Sequence, residues 1–346
     1  MRRRSVSSVL LASSLVVAAC GGDDDDGDLA AATTTAAPGT TVAAPAGDVA
    51  PLTGLPQADA GRRARIALVV KLDNAPKGRP QSGINQADVV VVEKVEDGIT
   101  RLFTIFQTND ADPVGPVRSA RSTDVALVTP LNRPLFAYAG TNAAFQALVN
   151  AAPLVDVGFN KASGDYRRQS GRPAPYNLFS NTSALVKRAP EGSKAPPALF
   201  TYRAAGQAAG GDAAGSVHVE YRGKNVTTRL DYAWDAAAGG WKRSQDGTPH
   251  VDSAGAQVTP ENLVVQFVTY RDTGQRDASG AVVDEAELVG QGEAWVFSDG
   301  KVVKGRWSKP TAEAVTAYTD AAGAPVGLTP GTTWVELTPV GAGQVT

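Results

Sequence analysis

The sequence predicts an α+β protein, in which an α/β N-terminal domain with a mixed sheet precedes a β-rich C-terminal domain. Three observations support this fold class. Apolar, β-branched runs at 65–74 and 87–107 indicate strands, and a strand–helix–strand pattern at 133–160 is typical of a crossover unit. Short strand-like runs recur after residue 216 and favour a sandwich or barrel. We place the domains at 51–203 and 216–346, on either side of a small-residue linker.

The first nineteen residues predict a secretory signal peptide. Three arginines at positions 2–4 precede a short apolar stretch that is not long enough to span a membrane stably. The segment ends in VAAC (17–20), which resembles the lipobox of bacterial lipoproteins. An ordinary signal peptide that contains a cysteine is the alternative. We expect Cys20 to carry lipid and to anchor the protein to the cell membrane, on its extracytoplasmic side.

Cys20 is the single cysteine of the chain, so a lipidated Cys20 leaves no thiol for a disulfide or a nucleophile. Residues 20–50 are Ala, Thr, Pro, Gly and Asp with almost no large apolar residue, which predicts a disordered tether. The formal net charge is −2, and removing the three signal arginines makes it −5. The five aspartates at 23–26 and 28 account for that charge, so the body is about neutral. A neutral body argues against nucleic-acid binding.

The first domain begins with a buried strand at 65–74, followed by two runs that Asp97-Gly98 joins into a hairpin. A two-residue turn would pair Glu96 with Ile99, Val95 with Thr100, Lys94 with Arg101, and Glu93 with Leu102. Because side chains alternate between faces, this register leaves Glu93 among apolar neighbours. Glu93 then forms either a structural ion pair, for example with an arginine of the next loop, or a site carboxylate.

The segment GPVRSARSTD (115–124) predicts an anion-binding loop. A short helix starting near Ser122 or Thr123 must end by Pro130, which places Arg118 and Arg121 at its N-terminus. Guanidinium forks bind carboxylate or phosphate groups, and nearby hydroxyls such as that of Ser119 can assist. The alternative is that both arginines only neutralise Glu93 and Asp88, while Ser122 or Thr123 caps the helix.

Further polar residues follow other strands of the first domain. Thr141 or Asn142 is placed to cap the helix of the crossover unit. The loops at 74–88, 112–124 and 139–142 all follow strands, so we expect them to meet at one sheet edge, where ligands collect. The loop at 161–182 adds arginines and tyrosines as a possible cleft wall. The candidate ligand-binding residues are Arg79, Gln81, Glu93, Arg118, Ser119, Arg121, Asn142 and Arg172.

Five segments of the chain resemble the YerB-like family of bacterial lipoproteins, a domain family of unknown function. They are PLTGLP (51–56), DNAPKGRPQSGINQADVVVVEKVEDGITRLFTIF (73–106), DPVGPVRSARSTD (112–124), GEAWVFSDGKVVKGRWSKP (292–310) and LTPGTTWVELTP (328–339). The resemblance covers nearly everything from residue 51 onward. It implies a two-part lipoprotein of the cell envelope and assigns no catalytic residues.

All five tryptophans fall in the C-terminal domain, where alternating strands favour core packing over a sugar-stacking platform. The chain lacks the residues and motifs that metal sites and several classes of enzyme require. The chain has two histidines and no free thiol, so we expect no metal site and no cofactor. No GxSxG, SxxK or P-loop occurs, which removes the usual support for serine hydrolases and NTPases.

The sequence therefore favours a non-catalytic envelope lipoprotein, although it does not exclude an enzyme. We expect it to bind an anionic cell-wall ligand, a lipid-linked ligand or a wall-synthesis protein. The alternative is an enzyme that acts on glycan or phosphorylated envelope material, with Glu93 or Asp88 as acid or base and Arg118 and Arg121 holding the charged group. A transporter receptor ranks last, because such receptors have two similar α/β lobes.

Overall fold

One large sheet, to which both halves of the chain contribute strands, organises the computed structural model. The structure describes residues 47–204, 206–277 and 280–346. The predicted signal peptide (1–19), Cys20 and the tether up to residue 46 lie outside these residues. The predicted tether extended to residue 50, but Val49 forms a bridge with Pro56 and Ala50 is buried, so both belong to the fold. Within the described ranges, no helix has the length and apolar character needed to cross a membrane.

The N-terminal half contains seven strands and four short helices. The strands are β1 (Leu68–Asp73), β2 (Val89–Glu96), β3 (Ile99–Phe106), β4 (Leu135–Ala137), β5 (Val155–Asp156), β6 (Tyr166–Arg168) and β7 (Leu178–Ser180). The helices are α1 (Ala60–Ala64), α2 (Ser122–Val128), α3 (Ala143–Ala151) and α4 (Thr182–Val186), with 3₁₀ turns at Pro76–Gly78, Ile84–Gln86 and Ser163–Asp165. The predicted short helix before Pro130 is confirmed as α2.

The described C-terminal half consists of strands alone. They are β8 (Thr201–Tyr202), β9 (Asp212–Ala213), β10 (Ser216–Arg222), β11 (Thr227–Asp235), β12 (Gly240–Gln245), β13 (Thr248–Pro249), β14 (Asn262–Val268), β15 (Tyr270–Arg276), β16 (Val282–Ala286), β17 (Gly290–Ser298), β18 (Lys301–Lys309), β19 (Ala317–Thr319), β20 (Gly327–Leu328), β21 (Thr333–Pro339) and β22 (Gly343–Val345). The predicted fold class, a mixed α/β part followed by a β-rich part, is confirmed.

The large sheet runs in the order β19-β18-β17-β14-β21-β2-β3-β1-β4-β5. Its centre is the parallel pair β2–β21, in which residues 89–92 lie opposite 333–336. The strands of the N-terminal half form one side of this sheet and those of the C-terminal half form the other. The sheet is therefore continuous across the two sequence segments that we assigned to separate domains.

Both faces of the large sheet are covered. The smaller sheet β13-β12-β11-β10-β22 supplies Tyr221, Tyr232 and Trp241 to the core on one face. Helices α2 and α3 contribute to the core on the other. Strands buried on both sides read as continuous apolar runs, which explains the VVVV of β2. The core role predicted for the tryptophans is confirmed at positions 241, 295, 307 and 334.

The hairpin β2–β3 turns at Asp97 and Gly98 as predicted, but its register differs from the prediction. Glu96 lies opposite Ile99, and then a shift at Val95 places Lys94 opposite Thr100 and Glu93 opposite Arg101. The predicted pairs beyond Glu96 are therefore wrong by one residue, because Val95 forms a bulge. In a regular strand, residues 93 and 96 would face opposite ways. The bulge brings both glutamates to the face that carries Arg101.

Candidate functional site

A cluster of charged side chains lies where β1 and β2 end and β3 begins. Strand β1 supplies Lys71 and Asp73, which share a face because they are two residues apart. Asp73 lies opposite Arg101 of β3, and Arg101 lies opposite Glu93 of β2, so these three residues form one row across the sheet. The segment 115–121 and the first turn of α2 cover this row. This is the strand edge at which the sequence predicted a site.

Glu93 forms a buried ion pair, but its partner is a lysine rather than the predicted arginine. Lys71 Nζ contacts Glu93 Oε1 and lies 2.7 Å from Asp124 Oδ1, and all three side chains have no exposed surface. One ammonium therefore serves two carboxylates. Burial, together with the negative charge of Asp124, raises the pKa of Glu93 to about 7 despite the opposing effect of Lys71. Glu93 Oε2 has no hydrogen-bond partner in the described part of the chain.

Glu96 forms ion pairs with two arginines at the edge of this cluster. Arg121 donates through Nε to Glu96 Oε1, and Arg101 Nη2 lies 3.4 Å from Glu96 Oε2. Arg101 Nη1 also donates to the Ser119 carbonyl oxygen over 2.9 Å, which ties the loop to the sheet. Burial, followed by the nearby charge of Arg121, lowers the pKa of Arg101 to about 10. The alternative in which the loop arginines neutralise Glu93 and Asp88 is wrong, since Arg118 pairs with Asp73 and Arg121 pairs with Glu96.

Arg118 is the partly exposed member of the cluster. Its Nε donates to Asp73 Oδ2 over 2.5 Å, and the Tyr176 ring centroid lies 5.6 Å from its guanidinium carbon. Its side chain is 23% exposed. Its two terminal nitrogens form no hydrogen bond with any residue that the structure describes. Arg118 therefore keeps a pair of donors for a ligand.

Arg172 is linked through Gly78 to Asp73, the partner of Arg118. It donates to the carbonyl oxygens of Gly78 (3.2 Å) and Pro80 (2.6 Å). Gly78 packs so closely on Asp73 that a Cβ there would lie 2.7 Å from Asp73 Oδ1. We call the group formed by Asp73, Gly78, Arg118, Arg172 and Tyr176 the Arg118 surface.

The other predicted site residues form hydrogen bonds or ion pairs with other parts of the protein. Arg79 pairs with Asp246 across 3.2 Å, and burial lowers its pKa. Gln81 is buried and donates to the Asp73 carbonyl oxygen over 2.8 Å. Asn142 Oδ1 accepts from Phe145 N over 2.8 Å, which confirms the predicted cap of α3. The structure thus brings Glu93, Ser119 and Arg121 together, with Arg118 and Arg172 alongside. The side chains of Arg79, Gln81 and Asn142 have separate partners.

Asp88, the second candidate acid or base, has a structural role. It has no exposed surface and accepts hydrogen bonds from Gln107 N at 2.5 Å, Thr108 N at 2.9 Å and the Thr108 hydroxyl. Burial raises its pKa, and these hydrogen bonds oppose that shift. Asp88 therefore fixes the chain where β3 ends.

The sequence reasoning missed five members of the cluster, which are Lys71, Asp73, Glu96, Arg101 and Asp124. Lys71 could have been recognised from the sequence, because a lysine within an apolar strand needs a buried counterion. Arg101 was predicted to lie opposite Lys94, in the register that the bulge at Val95 overturns. Asp124 was not proposed as a site residue, and its Oδ2 accepts from Arg121 N over 2.6 Å.

A second buried network lies on the opposite face of the sheet. Glu336 accepts from the hydroxyls of Tyr221 (2.8 Å) and Tyr232 (2.5 Å). Arg243 Nη1 lies 2.5 Å from His250 Nδ1, and His250 Nε2 lies 2.7 Å from Gln81 Oε1. Since Arg243 can only donate, His250 Nδ1 accepts and Nε2–H donates to Gln81. Burial, together with the charge of Arg243, lowers the pKa of His250 and keeps it neutral.

This second network tethers the smaller sheet to the loop that follows β1. Across residues 47–204, 206–277 and 280–346, no group of three or more His, Cys, Asp or Glu side chains is placed to hold a metal ion.

Comparisons with known proteins agree with the resemblance seen in the sequence. The model of the DUF3048 N-terminal domain matches residues 52–195, and that of the DUF3048 C-terminal domain matches residues 217–335. The chain belongs to the two-domain DUF3048 family. Both domains of the family are described as protein of unknown function.

A protein of Bacillus subtilis (strain 168), YerB, is named as a lipoprotein and is 29% identical over 300 residues. The match covers 84% of this chain and 86% of that protein. A crystal structure of YerB from Bacillus subtilis aligns with a TM-score of 0.75 at 25% identity, covering 86% of this chain and 99% of that one. This similarity supports the assignment of the chain as a lipoprotein.

Proposed function

We propose that this DUF3048 lipoprotein binds an anionic cell-wall ligand at the Arg118 surface, without chemical turnover, outside the cytoplasmic membrane. The observation that carries the proposal is that the two terminal guanidinium nitrogens of Arg118, in a partly buried position, have no partner among the described residues. A guanidinium fork of this kind binds a carboxylate or phosphate through two parallel hydrogen bonds. Tyr176 above it supplies an aromatic face for the ligand's apolar or sugar portion.

The buried cluster behind Arg118 serves to hold the loop in place. Arg101 binds the Ser119 carbonyl oxygen, and Arg121 binds Glu96 at the start of α2. Asp73 orients Arg118 through its Nε alone, which leaves the outer edge of the guanidinium available. A preorganised donor loses less conformational entropy on binding than a flexible surface arginine does. The two arginines of GPVRSARSTD therefore have different roles, with Arg121 structural and Arg118 free to bind.

Burial favours binding over catalysis. A general acid or base must come within hydrogen-bonding distance of the substrate. The two candidate carboxylates, Glu93 and Asp88, have no exposed surface, and both are engaged with the protein. The pKa of about 7 at Glu93 would suit a general acid or base. It results from burial, however, and the same burial keeps a substrate from reaching the Glu93 carboxylate.

A lipid on Cys20 would hold the protein at the membrane and the Arg118 surface in reach of the wall. The sequence of the first twenty residues and the lipoprotein name of the Bacillus relative support this location. The wall ligand itself, or a wall-synthesis protein that carries it, is the partner that this account requires.

The test is sedimentation with purified cell-wall sacculi, using the compact unit Gly39–Thr346, which lacks Cys20. Arg118→Gln removes the charge but keeps a side chain beneath Tyr176. Arg222→Gln is the matched control, because Arg222 is exposed on β10 and pairs with Glu220. We expect Arg118→Gln to lower the bound fraction at least five-fold and Arg222→Gln to leave it unchanged.

Mass spectrometry of the supernatants separates binding from turnover. We expect no defined wall fragments from the wild type. Equal retention of the two variants would show that Arg118 does not bind the ligand. Fragments released by the wild type but not by Arg118→Gln would replace binding with catalysis.

A further inference from the structure

A small apolar cavity lies on the face of the large sheet that α2 covers. Its volume is about 70 Å³, and strands β2 and β3 form its floor through Val91 and Phe103. Leu127 of α2 and the stacked rings of Phe200 and Tyr318 line its sides. Its lining is almost entirely apolar, which makes it suited to an aliphatic group.

Lys309 is the one cation in the lining of this cavity. It is 3% exposed, and its Nζ donates to the Ala314 carbonyl oxygen over 2.5 Å. Its other two N–H donors have no partner in the part of the chain that the structure describes. Burial lowers its pKa to about 8, although the charge of Glu313 opposes the shift. A buried ammonium without a bound carboxylate calls for an anion.

A larger cleft adjoins the cavity. Its volume is about 520 Å³, and Pro130 and the loop 309–316 contribute to both spaces. Two cations, Arg133 and Lys194, and two carboxylates, Glu191 and Glu313, line the cleft, and neither cation forms an ion pair with a described residue. A volume of this size lies within the range of ligand-binding pockets. The two spaces together offer an apolar end with one buried cation in its wall and, beside it, a cleft of mixed charge.

We propose that the cavity and cleft bind the carboxyl terminus of a peptide whose last residue has a small branched side chain. The side chain occupies the apolar cavity, the terminal carboxylate binds Lys309, and the preceding residues lie in the cleft beside Arg133 and Lys194. This site is distinct from the Arg118 surface. Arg118 precedes the start of α2 and Pro130 follows its end, and seven helical residues span about 10 Å.

The cavity volume selects the size of the side chain. A cavity of about 150 Å³ holds benzene, and a water-sized group takes about 30 Å³. The space of about 70 Å³ is about half the volume that holds benzene, so it suits the three carbons of valine better than an aromatic ring. The carboxylate of a terminal valine is bonded to the carbon that carries this side chain, so both groups fit one cavity that has Lys309 in its wall.

The experiment uses the compact unit Gly39–Thr346 and three probes, studied by ligand-detected NMR titration. The first probe is N-acetyl-Ala-Val with a free carboxylate, the second is the same dipeptide with a C-terminal amide, and the third is isovalerate. We expect saturation transfer to the valine methyl groups of the free acid. The amide, which lacks the charge, and isovalerate, which leaves the cleft empty, should each bind at least ten-fold more weakly.

Two variants test the site from its two ends. Lys309→Met keeps the aliphatic stem and removes the charge, and Ala126→Leu fills the cavity from α2 without weakening the helix. Each should lower the affinity for the free dipeptide at least ten-fold. Lys304→Met, an exposed position on the same strand, is the control and should bind within two-fold of the wild type.

Three results would overturn the proposal. Equal affinities for the acid and the amide would remove Lys309 from the site. Binding by Ala126→Leu at the wild-type level would place the methyl groups outside the cavity. Isovalerate that binds as tightly as the dipeptide would mean that the ligand is a free branched acid rather than a peptide end.

Discussion

Replacing Glu93 by glutamine should make the protein's stability depend less on pH. In the wild type, Lys71 is shared between Glu93 and Asp124, and none of the three side chains has exposed surface. Glutamine has nearly the same shape as glutamate and cannot ionise. The variant therefore removes one buried negative charge and leaves Lys71 with a single carboxylate, that of Asp124.

The sign and size of the effect follow from the raised pKa of Glu93. Its ordinary value is 4.5, and in the folded protein it is about 7. Between these values the folded chain keeps a proton that the unfolded chain has lost, so stability falls as pH rises from 4.5 to 7 and is constant above. Each pKa unit corresponds to about 1.36 kcal/mol, so the full change is about 3 kcal/mol. Glu93→Gln should gain about that much relative to the wild type between pH 4 and pH 8.

Urea denaturation at several pH values measures this difference, with the buried tryptophans as the fluorescent probe. The other titrating groups are common to both proteins, so they cancel when the two free energies of unfolding are subtracted. Glu285→Gln, at a more exposed glutamate that pairs with Arg271, is the control for the substitution itself. A difference between Glu93→Gln and wild type that stays constant from pH 4 to pH 8 would refute the argument.

Three further outcomes are expected. Trp241→Ala should lower the free energy of unfolding by about 3–5 kcal/mol in urea titrations, because this side chain is buried between Trp234 and Phe297. Gly98→Ala should cost at least about 2 kcal/mol by the same assay, since φ is 78° and a Cβ would lie 2.3 Å from the Val226 carbonyl oxygen. Cys20→Ser in the full chain should move the protein from the membrane fraction to the soluble fraction, as immunoblots of fractionated cells would show.

Local features of the fold were predictable because their causes are local. The Asp97-Gly98 turn, the short helix before Pro130 and the Asn142 cap each depend on a few adjacent residues. The alternation of strands after residue 216 likewise predicted the β-rich half. None of these required knowledge of which distant segment packs against which.

The candidate site was predicted only in part, because its geometry depends on one bulge and on long-range pairing. The extra residue at Val95 turns Glu96 and Arg101 to the face of Glu93, and nothing in the alternating pattern of β2 signals it. The partner of Glu93 is Lys71, on a strand that is not adjacent to β2. Sequence patterns locate strands, whereas the contacts between strands decide which charges meet.

The central pair β2–β21 also constrains when the protein can fold. Strand β2 forms early in the chain, but its partner ends at Pro339, close to the C-terminus of the sequence. As synthesis proceeds from the N-terminus, the hairpin β2–β3 is complete long before residues 333–339 exist, and one edge of β2 stays unpaired. The nascent protein thus carries an open, valine-rich edge until residues 333–339 have been synthesised. The sheet topology therefore requires that this edge of β2 be protected from aggregation until β21 has been synthesised.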